Sequence, residues 1–312
     1  MSAACPLCDA TDASVLTRGS DLEYHTLPET TFTIWRCTAC GHGFLDPLPA
    51  PAQLPEIYPP TYYTVNPDSP VHFADRLQRL KLRRDVGRVV SLTRGRAIRG
   101  VVDLGCGDGE RLARLGEVLP GDVELIGLDL QPDPARAQEL ARRGVGVVQA
   151  NLEEDLGALR DEGHDLVIMS QILEHLRDPV AVLRNVARKL APGGCVLIET
   201  PNLGGLDFRL FHERYWGAYH IPRHFHLFSR ATLSAAVDRA GLRVVRRGFL
   251  PGGFFIVSLR SALGLDSVAR SGRFGEFLNM RNLPVVAFFA ALDMLAIVAG
   301  RQTSNQFVLA ER

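Results

Sequence analysis

The chain has 312 residues, an apolar share of 46%, and 35 Lys and Arg balanced by 35 Asp and Glu. Zero net charge argues against a dominant surface for nucleic-acid phosphates, and the apolar content is that of an ordinary globular protein. The length indicates two domains or one large one, and the N-terminus lacks the basic start and apolar core of a secretory signal.

The six cysteines comprise two C-x-x-C pairs and two single residues. This usage is typical of metal binding in a reducing compartment, so we expect a cytoplasmic protein. Cys5 with Cys8, and Cys37 with Cys40, can each supply half of a tetrahedral zinc site. We expect a structural zinc ribbon over residues 1–48, with a redox dithiol or chance spacing as alternatives. It has no basic cluster, which favours a scaffold or dimer-contact role over nucleic-acid binding.

A proline-rich linker follows over residues 49–70. Tyr58, Tyr62 and Tyr63 lie in it and could pack the ribbon against the next domain, which we favour, or fold over a bound ligand. Residues 71–93 then form a basic amphipathic pattern that predicts a helix. Its arginines are interpreted as a solvated face.

The most informative stretch covers residues 101–111, VVDLGCGDGER. It predicts a strand, a tight glycine turn and a helix. The G-x-G-x-G spacing differs from the dinucleotide motif, and the G-K-[ST] of triphosphate sites is missing. Asp103 precedes the glycines and suits a ligand with an ammonium group better than a pyrophosphate. Asp129 ends the next apolar run, where an acid can accept hydrogen bonds from two ribose hydroxyls.

These two stretches resemble motifs I and II of the class I S-adenosylmethionine (SAM)-dependent methyltransferases. The resemblance implies a Rossmann-like α/β fold over residues 71–312, with a seven-stranded, mostly parallel sheet and SAM as cofactor. In that family an acidic or amide side chain contacts the adenine amino group, and Asn151 fits this position. A generic nucleotide-binding turn is the alternative. The implied cofactor-binding residues are Asp103, Gly105, Cys106, Gly107, Gly109, Asp129, Leu130, Asn151, Leu152 and Ser170.

The alternation of strands and helices continues after Asp129, as a parallel sheet requires. We expect helices over 134–143 and 179–190 and strands over 145–149, 165–169 and 195–199, with a turn at 191–194. Residues 170–175 and 199–202 follow strand ends and should face the ligand.

Two stretches carry the candidate chemistry. Glu174 and His175 follow a strand, and a later stretch, residues 215–229, concentrates histidines and aromatics. The pattern resembles the ubiquinone-pathway O-methyltransferases and the small-RNA 2′-O-methyltransferases, in which a Glu-x-x-Glu-His stretch holds a divalent metal. Here Gln171 replaces the first glutamate. The candidate catalytic residues are Glu174, His175, His224, His226, Trp216 and Tyr219.

Three roles stay open for the Glu and His residues: binding a divalent metal such as Mg²⁺, acting directly as a base or acceptor-orienting group, and a structural role. Trp216 and Tyr219 offer flat apolar walls that could stabilise a carbocation by cation–π contact. Arg223, with a bound Mg²⁺, could bind a substrate diphosphate.

A helical insertion is expected over residues 249–302, before a last strand at 305–311. Its final part, residues 283–300, is almost wholly apolar but is short for a membrane span and contains Asp293. Packing on the core, a homo-oligomer interface, or a cover over an apolar substrate explains it better.

The sequence therefore predicts a SAM-dependent methyltransferase that acts on an oxygen or carbon of a small, largely apolar molecule of natural-product or isoprenoid type. The ribbon-plus-core arrangement resembles bacterial methyltransferases of natural products or surface polysaccharides. An RNA 2′-O-methyltransferase and a non-catalytic scaffold with the same fold are the alternatives.

Overall fold

The computed structural model describes residues 4–21, 24, 26–27, 29–58, 71–154, 156–265, 275, 277–278 and 282–312, with only the backbone for 71–78. Tyr62 and Tyr63 lie outside these residues, as does most of the predicted linker. The strands are β1 (Ala13–Gly19), β2 (Phe32–Cys37), β3 (Gly43–Leu45), β4 (Gly100–Leu104), β5 (Glu124–Asp129), β6 (Val145–Gln149), β7 (His164–Ser170), β8 (Leu190–Pro201), β9 (His226–Leu227), β10 (Arg243–Leu250) and β11 (Asn305–Glu311).

Helices connect most of these strands. They are α1 (Leu54–Ile57), α2 (Val71–Leu92), α3 (Glu110–Val118), α4 (Pro134–Arg142), α5 (Pro179–Lys189), α6 (Leu206–Phe211), α7 (Arg230–Arg239), α8 (Phe254–Ala262) and α9 (Leu283–Val298). No helix within the described ranges is both long and apolar enough to cross a bilayer.

The chain forms two compact units that interleave along the sequence. The ribbon unit comprises Met1–Ala74, Thr200–Leu233 and Gly248–Gln306. The Rossmann unit comprises Asp75–Glu199, Ser234–Arg247 and Phe307–Arg312. The predicted boundaries at residues 48 and 70 stay a prediction, but each unit draws on three separate segments.

The Rossmann unit is built on a seven-stranded sheet with the order β10-β11-β8-β7-β4-β5-β6. The neighbouring pairs from β8 to β6 are parallel. Strand β4 is buried along its whole length, as expected for a central strand covered by helices on both faces. Apolar side chains of α3, β4, β5 and β7, including Leu112, Val101, Leu125 and Ile168, form one core. The predicted Rossmann-like fold is confirmed.

One local prediction was wrong. Residues 191–194 do not form a turn before the strand but belong to β8 itself. The pairing with β7 shifts there, because His164 pairs with Leu190 and Leu166 with Cys195. The three extra residues make the pairing irregular at this point, and Gly193 there has a φ of +76°. Proline and two glycines are typical of a turn and of an irregular strand segment alike.

The ribbon unit has its own four-stranded sheet, in the order β1-β2-β3-β9. The three neighbouring pairs are antiparallel, and β3 pairs with β9 through Gly43 opposite Leu227 and Phe44 opposite His226. The N-terminal segment thus supplies three strands, and the fourth comes from the histidine-rich stretch. An apolar core that includes Phe32, Ile34 and Phe225 lies against this sheet.

Candidate functional site

The glycine turn lies at the carboxyl end of β4. Gly105 has a φ of +71°, and its N–H donates to the Leu128 carbonyl at 2.7 Å. A Cβ at Gly105 would lie 2.1 Å from Cδ1 of Ile172, so a side chain is excluded by space as well as by conformation. Cys106 is buried, with its sulfur against Gly127 of β5. The turn is therefore packed tightly on its inner side.

The outer side of the turn is open. Gly107 has a φ of +54°, and a Cβ placed on it would meet no atom within 4 Å. Gly109 precedes α3 with a φ of +66°, and no side chain caps the helix there. A ligand could therefore approach the backbone of the turn and the amino end of α3 directly.

Asp129 joins the turn to the next strand. Its Oδ2 accepts from the Gly107 N–H at 2.9 Å, and its Oδ1 accepts from the Gln131 N–H at 3.1 Å. Each carboxylate oxygen can accept a further hydrogen bond. Leu130, the next residue, is 51% exposed beside it. The end of β5 thus carries hydrogen-bond acceptors next to an exposed apolar side chain.

Asp103 is a buried acid with charged neighbours. It is 2% exposed, and its Oδ1 has no hydrogen-bond partner among the described residues. Arg111 places Nη1 3.6 Å from that oxygen. Burial raises the pKa of Asp103 to about 6, against the opposing effect of Arg111 and with a smaller contribution from Glu199. A cationic group at this oxygen would be strongly favoured.

A second buried acid, Glu199, lies at the end of β8 and is held by two side chains. Arg88 of α2 donates to its Oε1 from Nε at 3.0 Å and from Nη2 at 2.5 Å. Ser170 donates to its Oε2 at 2.8 Å. The interpretation of the α2 arginines as a solvated face was wrong for Arg88, since helical periodicity does not reveal a partner over a hundred residues away.

The residues predicted to contact adenine lie after β6. Asn151 is exposed and caps a turn, because its Oδ1 accepts from the Glu153 N–H at 3.1 Å and its Nδ2 donates to Glu154 at 3.0 Å. Leu152 is at the limit of burial. Their contact with the cofactor stays a prediction.

Glu174 and His175 follow β7 on a short 3₁₀ turn, Leu173–His175. Glu174 is fully buried. The preceding Gln171 has a φ of +57°, an uncommon conformation for a residue with a side chain, and its N–H donates to the Glu199 carbonyl at 2.8 Å. Both predicted catalytic residues therefore lie at the same edge of the sheet as the glycine turn.

A family model described as a methyltransferase domain matches residues 66–247, more than half of the chain. The chain belongs to this methyltransferase family. Its seven-stranded sheet and glycine turn have the Rossmann-like arrangement that the sequence predicted.

The curated relatives of the methyltransferase include two enzymes named as ubiquinone biosynthesis O-methyltransferases. The one from Xanthomonas euvesicatoria pv. vesicatoria (strain 85-10) is 32% identical over 158 residues, 46% of this chain and 62% of the relative. The one from Xanthomonas oryzae pv. oryzae (strain PXO99A) is 34% identical over 116 residues, 35% of this chain and 46% of the relative. The chain therefore covers less than two thirds of either relative.

Among solved structures, a SAM-dependent methyltransferase from Archaeoglobus fulgidus aligns with a TM-score of 0.48 and 21% identity. The alignment covers 78% of this chain and 100% of that chain.

The ribbon unit of the methyltransferase brings four cysteines together. The sulfurs of Cys5, Cys8, Cys37 and Cys40 all lie within 4.8 Å of one another, with Cys5 3.7 Å from Cys40 and Cys8 3.6 Å from Cys37. Thiolates about 2.3 Å from one tetrahedral zinc would be roughly 3.8 Å apart. Burial opposes ionisation of Cys37, yet hydrogen bonds from the Cys40 N–H and from Cys8 lower its pKa to about 7. The donor set fits zinc.

The two predicted catalytic histidines of the methyltransferase's later stretch are buried in the ribbon unit. Nδ1 of His226 lies 3.0 Å from Nε2 of His42, two residues after the last cysteine. Burial, with His226 beside it, holds the pKa of His42 well below its usual range. Nδ1 of His224 lies 2.8 Å from the Ala218 carbonyl. Their catalytic role stays a prediction, while the His42–His226 pair was not foreseen.

Trp216 and Tyr219 belong to the core of the ribbon unit. Trp216 donates from Nε1 to Oδ2 of Asp207 at 2.6 Å, and the Tyr219 hydroxyl donates to the His212 carbonyl. Their rings meet edge to face at 5.2 Å. Their role as substrate walls stays a prediction. Asp207 was missed because a single acid in a short segment carries no sequence signal.

Arg223 is not available to a substrate diphosphate as the sequence suggested. It is fully buried and donates to both carboxylate oxygens of Asp21, at 3.2 and 2.7 Å, and to the Ile57 carbonyl at 2.7 Å. Burial would raise the pKa of Asp21, but hydrogen bonds from Arg223, Thr26 and Tyr24 hold it well below its usual range. The arginine therefore ties the histidine-rich stretch to the N-terminal segment.

Proposed function

We propose that this protein transfers the methyl group of SAM to an oxygen of a small, largely apolar acceptor, with carbon as the second acceptor class. The observation that carries the proposal is the combination of the open glycine turn, the unsatisfied oxygen of buried Asp103 and the acceptor capacity of Asp129. Family membership and the O-methyltransferase relatives support it.

The proposed pose places the ammonium, the ribose and the adenine of SAM along this edge of the sheet. The ammonium of the methionine portion would take the place beside Asp103, where burial makes a cation more favourable than it is in water. The ribose hydroxyls would donate to Asp129, and the adenine would lie near Leu130 and Asn151. Leu152 and Ser170 remain predicted neighbours.

SAM supplies an electrophilic methyl group, so the protein's task is to place the acceptor in line and manage one proton. When a hydroxyl oxygen attacks the methyl carbon, the carbon–sulfur bond breaks and the hydroxyl proton passes to a base. Glu174 or His175 is proposed as that base, because both follow β7 at the edge that bears the glycine turn. Holding the two reactants in line supplies much of the rate enhancement.

The predicted catalytic role of His224 and His226 is kept as a hypothesis, because imidazoles can accept or donate a proton near neutral pH. A divalent metal such as Mg²⁺ is the alternative for the Glu and His residues. The replacement of a carboxylate by Gln171 weighs against it.

The four cysteines are proposed to hold one structural zinc. Zinc sites of this kind have no open coordination position, so the metal would stabilise the ribbon unit and take no part in methyl transfer.

Calorimetry of SAM binding to zinc-loaded protein tests the proposal. Asp129→Asn keeps the size of the side chain and removes its charge, and we expect it to weaken binding more than about tenfold. Asp133→Asn is the matched control, because the Asp133 side chain caps α4 by accepting from the Arg136 N–H. Binding of SAM that is equal in wild type and Asp129→Asn would contradict the proposed pose. Absence of binding would leave a scaffold role. If SAM binds to the wild type and more weakly to Asp129→Asn, an acceptor screen would begin with phenols and isoprenoids.

A further inference from the structure

Helix α9 exposes a broad face without any polar side chain. Among its residues, Leu295 is 66% exposed and Val298 is 82% exposed. At 100° per residue, the exposed positions cover nearly half of the helix circumference. The face consists of Pro284, Ala287, Phe288, Ala291, Leu292, Met294, Leu295 and Val298.

The opposite side of α9 is anchored to the ribbon unit. Val285 is buried, and Phe289 stacks on Phe255 of α8 at 5.1 Å. Asp293 is the helix's only charged residue, and its Oδ2 accepts from the Gly252 N–H at 2.8 Å. The single polar side chain therefore lies on the packed side, and the orientation of the apolar face is fixed.

Three kinds of partner can be compared for this face. Small ligands bind in concave pockets, whereas a helix face is convex. Helices that lie in a lipid surface carry Lys and Arg on their polar side, and α9 has neither. A second copy brings an identical apolar face, and identical faces are complementary across a two-fold axis. We propose that α9 packs against α9 of a second copy of this chain.

The spacing of the residues on this face is compatible with the packing of two α9 helices. Pro284, Phe288 and Leu292 form one row at four-residue spacing, and Ala287, Ala291 and Leu295 form another. Rows at this spacing interdigitate when two helices cross at about −50°. A two-fold axis near Ala291 would place Phe288 against Leu295 of the second copy, with the small alanines allowing close approach.

The size of the face sets the expected strength. Sixteen residues span about 24 Å, and nearly half of a cylinder about 12 Å wide gives at most roughly 450 Å² per copy, because crossed helices touch along only part of their length. About 900 Å² in total falls below the standard-size range and is typical of weak, reversible association. The dimer should therefore form and dissociate reversibly, and its strength has to be measured over a wide range of concentrations.

Sedimentation velocity of the zinc-loaded full chain from about 1 to 100 μM tests the proposal. We expect the sedimentation coefficient to rise with concentration. Leu295→Glu should raise the dimer dissociation constant more than about tenfold, because it buries a charge without a partner. Leu80→Glu is the matched control, since Leu80 is 50% exposed on α2 and lies off the face. It should leave the dissociation constant unchanged.

A cross-link tests the register. Ala291→Cys should form a disulfide with its copy under mild oxidation, because residues beside a two-fold axis bring their Cα atoms within reach. Val118→Cys, on the exposed side of α3, should not. A chain that stays monomeric at 100 μM overturns the proposal. So does a dimer insensitive to Leu295→Glu, or a monomer that binds neutral lipid vesicles through this face. None of these outcomes depends on SAM binding.

Discussion

The cofactor end of the Rossmann unit and the sheet of the ribbon unit differ in the sequence range of the contacts that build them. Asp129 and Gly107 are 22 residues apart. In the ribbon unit, Arg223 reaches Asp21 across 202 residues, and His226 reaches His42 across 184. The first site is an arrangement of neighbouring strand ends, so its local pattern indicates its chemistry. The second depends on distant segments that share no pattern.

The largest effect is expected from a substitution that removes the metal site of the ribbon unit. Cys40→Ser deletes one thiolate, and structural zinc is worth about 10–16 kcal/mol in zinc-finger peptides. We expect the zinc content to fall and the ribbon unit to lose its packing, which would shift the emission of Trp35 and Trp216. Cys195→Ser, at a buried cysteine of the Rossmann unit, should keep the zinc and the emission. An unchanged emission in zinc-free Cys40→Ser would show that the ribbon unit folds without metal.

A smaller effect is expected from the buried ion pair. Asp21→Ala leaves the Arg223 guanidinium buried without its charge partner, which should lower the free energy of unfolding by about 3–5 kcal/mol. Denaturant unfolding measures this, followed by circular dichroism, which reports on both units, and by the emission of Trp35 and Trp216, which reports on the ribbon unit. Glu124→Ala breaks the exposed pair with Arg160 in the Rossmann unit and should cost less than about 1 kcal/mol. Equal losses of the free energy of unfolding in the two variants would contradict the expected difference between the buried and the exposed ion pair.

At the cofactor end, substitution of two glycines distinguishes the cost of a steric clash from the cost of a left-handed backbone conformation. Gly105→Ala meets Ile172 in a left-handed backbone and should cost about 2–4 kcal/mol. Gly107→Ala faces open space and should cost only the conformational strain, about 1–2 kcal/mol. Denaturant unfolding ranks the two. SAM calorimetry should then show that Gly107→Ala, although nearer to native stability, also loses affinity, because its Cβ faces the proposed ligand.

The smallest expected effect is on pH dependence. The pKa of Asp103 is about 6 without ligand, and only the carboxylate attracts an ammonium. SAM affinity should therefore fall by up to about tenfold per pH unit below pH 6 and level off above it. Calorimetry between pH 5 and 8 measures this, and Asp103→Asn should flatten the curve at a lower affinity. A wild-type curve that is flat below pH 6 would place the ammonium elsewhere.

The same difference between local and distant contacts separates the features that the sequence could predict from those that it could not. Glycines at alternate positions, acids at strand ends and paired cysteines each have a local physical reason, so the Rossmann-like fold, the glycine turn and the cysteine cluster were predicted. The ion pair between Arg88 and Glu199 and the burial of Arg223 were not predicted. Both require that two charged residues meet after the chain has folded, and a charged residue looks the same in sequence whether it is solvated or paired.

The fourth strand of the ribbon sheet has a consequence for synthesis. The residue that pairs with His42 leaves the ribosome 184 residues later, which is roughly 10–40 s at about 5–20 residues per second. During that interval the three N-terminal strands have an open edge and the cysteines are already exposed to metal. Early capture of zinc would hold β2 and β3 in place as a template, so that β9 adds to an ordered edge rather than to an unfolded chain.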